Sequence, residues 1–206
     1  MKNDVFQKLS YQLVSKLFVL PIYKFVFRGH LIGRENIPQK NSFIMVSNHG
    51  SLLDPPLLGH ALGRNISFMA KAELFKIPLL GFIIKACGAY PVKRGIVDKN
   101  TIKTACKKLS NDNCIGIFID GTRQKNGRVN KPKQGAALLA FKNQKLLLPV
   151  AIVNSHRLIR FKFCIPLFSK IVIKVGKPIQ PPKSSSRDDL NALTMDLQDN
   201  INHLIG

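Results

Sequence analysis

The chain has 206 residues, 45% of them hydrophobic. That is enough for one domain with a real core, and too apolar for a disordered chain. Lys and Arg number 32 against 11 Asp and Glu, a net charge of +21, which points to phosphorylated substrates, an anionic membrane surface or nucleic acid as partners.

The first 28 residues carry apolar side chains at helical spacing: Phe6, Leu9, Leu13 and Leu17, with Val14 and Phe18 beside them. Lys2, Lys8, Lys16, Lys24 and Arg28 are spread through the segment, and Leu17 to Phe27 is nearly all apolar. We read 1–28 as a membrane-associating helical segment with interfacial aromatics and basic residues. Packing of the same helix on the core is the alternative. Pro21 and Lys24 break this run, and Ile77 to Ala86 is shorter still, so neither is expected to span a bilayer. No secretory signal stands out.

Residues 29–206 read as one α/β domain with a mostly parallel central sheet flanked by helices. Residues 29–41 form a loop or strand-turn segment. Phe43 to Val46 reads as a short buried strand. It runs into Ser47, Asn48, His49, Gly50 and Ser51, and then to Asp54 before Pro55 and Pro56. A histidine at the carboxyl end of a buried strand lies where open α/β sheets place ligands. Asp54 has two readings that are compatible. It caps the next helix, with proline in the first turn. Or it accepts a hydrogen bond from His49 and leaves the other ring nitrogen as a general base. On a continuous helix residues five apart lie about 140° out of phase, so the pairing needs the turn.

A helix follows through Leu57, Leu58, Ala61 and Leu62, then a strand over Arg64 to Met69, with Lys71 just beyond. Gly88 to Arg94 (GAYPVKR) holds Pro91, which predicts an edge strand or a strand start. Its Arg94, read alone, is a surface charge; as a site residue it is a candidate phosphate ligand, since arginine binds phosphate in a bidentate fork. Residues 98–110 are helical, with Ile102, Ala105, Cys106 and Leu109 on one face. Cys114 to Ile119 is a buried strand ending at Asp120, Gly121, Thr122 and Arg123. Read alone, Asp120-Gly121 is a turn; as a site, Gly121 allows close approach and Arg123 clamps phosphate. Gly135 to Phe141 reads as a helix. Leu146 to Val153 is a strand with Pro149 inside it, and Ile159 to Phe163 and Ile171 to Val175 are strand-like. A last helix is capped by serine before Asp188 and Asp189 and carries Leu190, Leu193, Leu197, Ile201 and Leu204.

Cys87, Cys106, Cys114 and Cys164 form no CxxC pair, and no His/Cys spacing suggests zinc. They read as reduced, mostly buried residues in a cytosolic setting. No metal is expected. No nucleic-acid motif or set of base-stacking aromatics is apparent, so nucleic acid is not an expected partner.

NHGSLLDP, GAYPVKR, FIDGTR and LLPVAI resemble, in order, the four signature blocks of the glycerolipid acyltransferases, the family of 1-acyl-sn-glycerol-3-phosphate acyltransferases. The lead-in Arg34 to Pro38 and the close Gly176-Lys177-Pro178-Ile179 are similar to that family too. The chain departs from it at Pro91, Ile119 and Asp120, the last two standing where the family has Pro and Glu. The resemblance implies an enzyme that moves a fatty acyl group from an acyl thioester, of acyl carrier protein or coenzyme A, to the sn-2 hydroxyl of lysophosphatidic acid. The product would be phosphatidic acid, in phospholipid biosynthesis. It implies His49 as base held by Asp54, Lys71 at the oxyanion, and Arg94, Asp120, Gly121, Thr122 and Arg123 at the acceptor. No cofactor is implied beyond the acyl thioester as co-substrate. The cytoplasmic face of a membrane is the expected location. Another lysolipid acceptor is the alternative.

Overall fold

Strand β2 (Ile44–Ser47) is buried along its whole length. It pairs in parallel with β5 (Cys114–Phe118) on one side and β6 (Leu147–Val153) on the other. A strand paired on both edges and covered on both faces has no solvent side, so a continuous Ile-Met-Val run replaces alternation. These features come from a computed structural model that describes residues 9–92, 99–159 and 169–206.

Among the described residues the sheet has seven strands, in the order β1 (His30–Ile32), β7 (Val172–Val175), β6, β2, β5, β3 (Ile66–Lys71), β4 (Tyr90–Val92). Among the strand pairs of the described residues, β6–β7 alone is antiparallel. The mostly parallel sheet flanked by helices is therefore as expected. Along β2 the side chains alternate between two cores. Met45 packs with Leu57 and Leu58 of α2 (Asp54–Leu62) and with Phe27. Ile44 and Val46 face the other way. Their partners are Leu109 of α4 (Lys99–Ser110), Leu139 of α5 (Gly135–Asn143) and Leu197 of α6 (Arg187–Ile205). The Ser186 hydroxyl accepts the Asp189 N–H at 3.1 Å and caps α6.

Two prolines sit in strands for different reasons. Pro91 lies in β4, the last strand of the sheet, as its sequence position predicts. Pro149 lies in the interior β6. There β7 has already ended at Val175, and the Pro149 carbonyl still accepts the Gly176 N–H at 2.9 Å. The ladder resumes at Leu147–Ile179, so the missing proline donor falls where the sheet is open.

Several sequence readings change. The 29–41 segment, open between loop and strand-turn, takes the strand-turn form, with a strand, β1, parallel to β7. Ile159 ends a 3₁₀ turn, Ser155–Ile159, and is not the start of a strand; the rest of that expected strand, 160–163, lies outside the described residues. So do Arg94 and Cys164. Of the described cysteines Cys114 is buried, but Cys87 and Cys106 are only half-buried.

The N-terminal helix, α1, is helical over 9–26 and widens into π-turns at Ser15–Val19 and Ile22–Val26. Pro21 lies between them. It has no N–H and its ring collides with the carbonyl four residues back, so the helix opens to longer-range bonds around it. α1 docks on α2: Ser15 Oγ lies 2.7 Å from His60 Nδ1, and Tyr23 meets the His60 ring edge-on. No helix among the described residues is long and apolar enough to cross a membrane.

Burial pulls the His60 pKa below its ordinary value, so the folded chain takes up that proton less readily than the unfolded chain. The unfolded state then binds more protons as pH falls below about 6.5, and stability is lost through that range. His156 is lowered in the same direction. We expect the urea midpoint to drop between about pH 7.5 and about pH 5.5, and the drop to shrink in His60→Phe. An unchanged drop in that variant would assign the pH dependence elsewhere.

Candidate active site

Strands β2, β3, β5 and β6 run parallel, so their carboxyl ends open on one edge of the sheet. At that edge the chain turns through Asn48, His49, Gly50 and Ser51 before α2 begins at Asp54. Asp54 is fully buried. Its Oδ2 accepts from His49 Nδ1 at 2.8 Å, from the Gly50 N–H at 2.7 Å and from the Ser51 N–H at 2.8 Å. A carboxylate only accepts, so Nδ1 carries the hydrogen and Nε2 is left as an acceptor.

The capping reading of Asp54 is corrected by this geometry. Asp54 is the first residue of α2, and its side chain makes no cap bond there. It points back instead, into the turn that precedes it. Pro55 and Pro56 follow in the first turn of the helix, where missing amide donors cost nothing.

The His49 ring lies flat on Phe118, with centroids 3.9 Å apart and planes 14° apart. Phe118 is the last residue of β5 and stacks in turn on Phe68 of β3. Phe68 fits because residue 116 of β5 is glycine: a Cβ there would come within 2.3 Å of the Phe68 ring. Asn48 ties the turn down from the other side. Its Nδ2 donates to the Gly127 and Ile152 carbonyls, at 2.7 and 2.9 Å, and its Oδ1 accepts the Ile152 N–H at 2.8 Å. We expect Phe118→Leu to stay folded and to lose about 10- to 100-fold in kcat, because the imidazole loses the flat wall that sets its angle. A variant with wild-type kcat would show that Asp54 alone orients the ring.

The β5 end is a basic turn. Gly121, with φ +69°, Thr122 and Arg123 are exposed at the edge. The Gln124 N–H donates to the His49 carbonyl at 2.8 Å, which joins this turn to the His49 turn. Lys133 also lies here, its Nζ 3.3 Å from where a Gly121 Cβ would stand. Asp120 is buried, and its carboxylate accepts the N–H groups of Asn130, at 3.2 Å, and Lys131, at 2.7 Å. It holds the 120–131 loop. Ile119 is buried as well. Both departures from the third block thus lie at the base of the loop and not on its outer face. Lys71 closes β3 at the same edge, half-buried.

Sequence reading missed Asn48, Phe118, Ser155 and His156. The last two come from the 3₁₀ turn after β6. A Cβ on Gly50 would lie 2.6 Å from the His156 N and 2.8 Å from Ser155 Oγ, and one on Gly127 would lie 2.3 Å from His156 Nδ1. His156 therefore sits directly behind the His49 turn. Burial and the Arg157 charge lower its pKa, with Asp54 opposing them, so it is neutral at physiological pH. Asp54 Oδ1, Ser155 Oγ and His156 Nδ1 are buried without partners among the described residues. An Asn directly before His49 was the one local signal for any of this.

The fold and site define a class: an α/β protein with a histidine–aspartate pair at the carboxyl edge of its sheet, beside a basic turn. A family model described as Acyltransferase matches residues 28–153. The chain is 29% identical over 161 residues to the chloroplastic 1-acyl-sn-glycerol-3-phosphate acyltransferase LPAT1 of Arabidopsis thaliana, across 75% of this chain and 44% of that protein. It is 37% identical over 125 residues to a Helicobacter pylori 1-acyl-sn-glycerol-3-phosphate acyltransferase, across 58% and 52%. It thus spans about half the length of these relatives. The crystal structure of the 1-acyl-sn-glycerophosphate (LPA) acyltransferase PlsC of Thermotoga maritima superposes with a TM-score of 0.77 at 28% identity, over 93% of this chain and 78% of that one. The chain belongs to the acyltransferase family.

Proposed function

We propose that this protein transfers a fatty acyl group from an acyl thioester to the sn-2 hydroxyl of lysophosphatidic acid, giving phosphatidic acid. The observation that carries the reading is the 2.8 Å bond from His49 Nδ1 to the buried Asp54, which leaves Nε2 as base beside the basic turn. In the reaction Nε2 takes the hydroxyl proton as that oxygen attacks the thioester carbonyl. A tetrahedral oxyanion forms and collapses, the C–S bond breaks, and the leaving thiolate takes the proton from His49. The aspartate keeps the imidazole in one tautomer and stabilises its charged form.

Lys71 is the proposed oxyanion partner; a fixed donor at a developing charge is typically worth about 3 kcal/mol. Thr122 and Arg123, with Lys133 over Gly121, are proposed to take the acceptor phosphate. Arg94 is proposed to join them from outside the described residues. Asp120 serves this site by holding the loop, since a carboxylate repels phosphate. No covalent acyl-enzyme is needed. Either acyl carrier protein or coenzyme A serves as thioester carrier, and the basic surface suits both.

The test is phosphatidic acid formation by the purified protein in lipid or detergent, given lysophosphatidic acid and long-chain acyl thioesters of each carrier. Formation with either carrier supports the reading and names the donor. Acylation of a different lysolipid alone would keep the chemistry and replace the acceptor. No transfer to any lysolipid, beside an active control, would overturn it.

A further inference from the structure

Helix α3 (Pro78–Ala86) presents an apolar face that the reaction does not use. Leu79 is 73% exposed and Phe82, three residues on, is 66% exposed, with Ile77 and Leu80 also open beside them. The inner side of the helix is fixed. Gly81 is buried there, and a Cβ on it would come within 2.4 Å of the Phe75 carbonyl. The apolar face is therefore held outward by the packing and is not the product of a loose segment.

We propose that α3 is a second membrane-docking element, lying in the interface of an anionic bilayer with Leu79 and Phe82 among the acyl chains. Three observations on this molecule point to that occupant. Lys76 precedes the helix and Lys85 lies in its last turn, both exposed. Long basic side chains flanking an apolar face reach up to headgroups while the face is buried. Second, other elements also leave large apolar side chains open. Leu9, Leu13, Leu17 and Phe18 of α1 are exposed as well. Leu52, 66% exposed, lies in the turn that carries His49, at the same sheet edge from which β3 leads into α3. Third, the net charge of +21 opposes packing of a second copy on this face and favours an anionic surface. A lipid acceptor would then reach His49 from the surface on which the protein lies.

The chain contains no tryptophan, so Phe82→Trp and Phe18→Trp each create a unique reporter, with Leu79→Trp in reserve if the first does not fold. Vesicles of phosphatidylglycerol and phosphatidylcholine with brominated acyl chains are expected to shift Phe82→Trp emission to the blue and quench it, as they do Phe18→Trp. Leu79→Ser/Phe82→Ser is expected to bind the same vesicles on the order of 10²-fold less tightly with α1 intact. Quenching of Phe18→Trp alone would overturn the proposal and leave α1 as the sole contact. A lipid-free shift that grows with protein concentration would overturn it in favour of a second copy. A response to added acyl carrier protein and not to vesicles would overturn it in favour of a protein partner. The readout is binding and not turnover, so it succeeds or fails independently of the proposed reaction.

Discussion

His49→Ala is expected to lose between about 10²- and 10⁴-fold in kcat while unfolding close to the wild-type midpoint. The kinetic loss follows from geometry. Nε2 is the nitrogen of His49 that Asp54 leaves open, and the two carboxylates described at this edge do not replace it, since Asp54 is buried and Asp120 is committed to Asn130 and Lys131. The small effect on stability follows from what remains. Asp54 keeps the Gly50 and Ser51 N–H groups as donors, so no buried charge is left unpaired. The ring is lost from the face of Phe118, a contact worth about 1 kcal/mol. The measurement is phosphatidic acid formation at saturating acceptor, beside a urea titration. A variant within about threefold of wild type would remove general-base catalysis by His49 from the mechanism.

Asp54→Asn and Asp54→Ala separate orientation from stability. Asparagine has the same shape but no charge. It accepts weakly from His49 Nδ1–H and does not stabilise the imidazolium that forms as the proton moves. In the serine-protease triad the same change costs about 10⁴ in kcat through the wrong tautomer. We expect a loss here of about 10²- to 10⁴-fold with the fold retained. Alanine removes the acceptor as well. The buried Gly50 and Ser51 N–H groups would then have no partner, at about 1–3 kcal/mol each. Asp54→Ala should therefore unfold at clearly lower urea than Asp54→Asn, with equally poor activity. Equal stability of the two would mean that the turn finds other acceptors. An active Asp54→Asn would sink the orienting role.

Local pattern carried much of this protein. The strand runs at Ile44, Cys114 and Leu147, the helix from Asp54 and the serine-capped last helix all follow from residue type and periodicity, because the forces behind them act within a few residues. The His-x-x-x-x-Asp spacing was legible for the same reason: the bond spans a single turn. Pro91 at a sheet edge was legible because a proline has no donor to offer a further strand.

What local pattern did not carry is what tertiary packing decides. Phe118 reads as one more strand residue, and only the pairing of β2 with β5 lays its ring against His49. Ser155 and His156 follow a strand some hundred residues beyond His49 in the chain, and only parallel pairing of β2 with β6 brings them behind Gly50. Asp120 shows the same limit from the other side: its residue type suits a ligand site, but its burial against Asn130 and Lys131 makes it a loop anchor. Most of the elements and the one short-range pair in the site were readable from residue pattern, since those rest on forces between near neighbours. Strand order, the stack under the imidazole and the outward face of α3 were decided by the tertiary structure, because each depends on which distant surfaces are buried against one another.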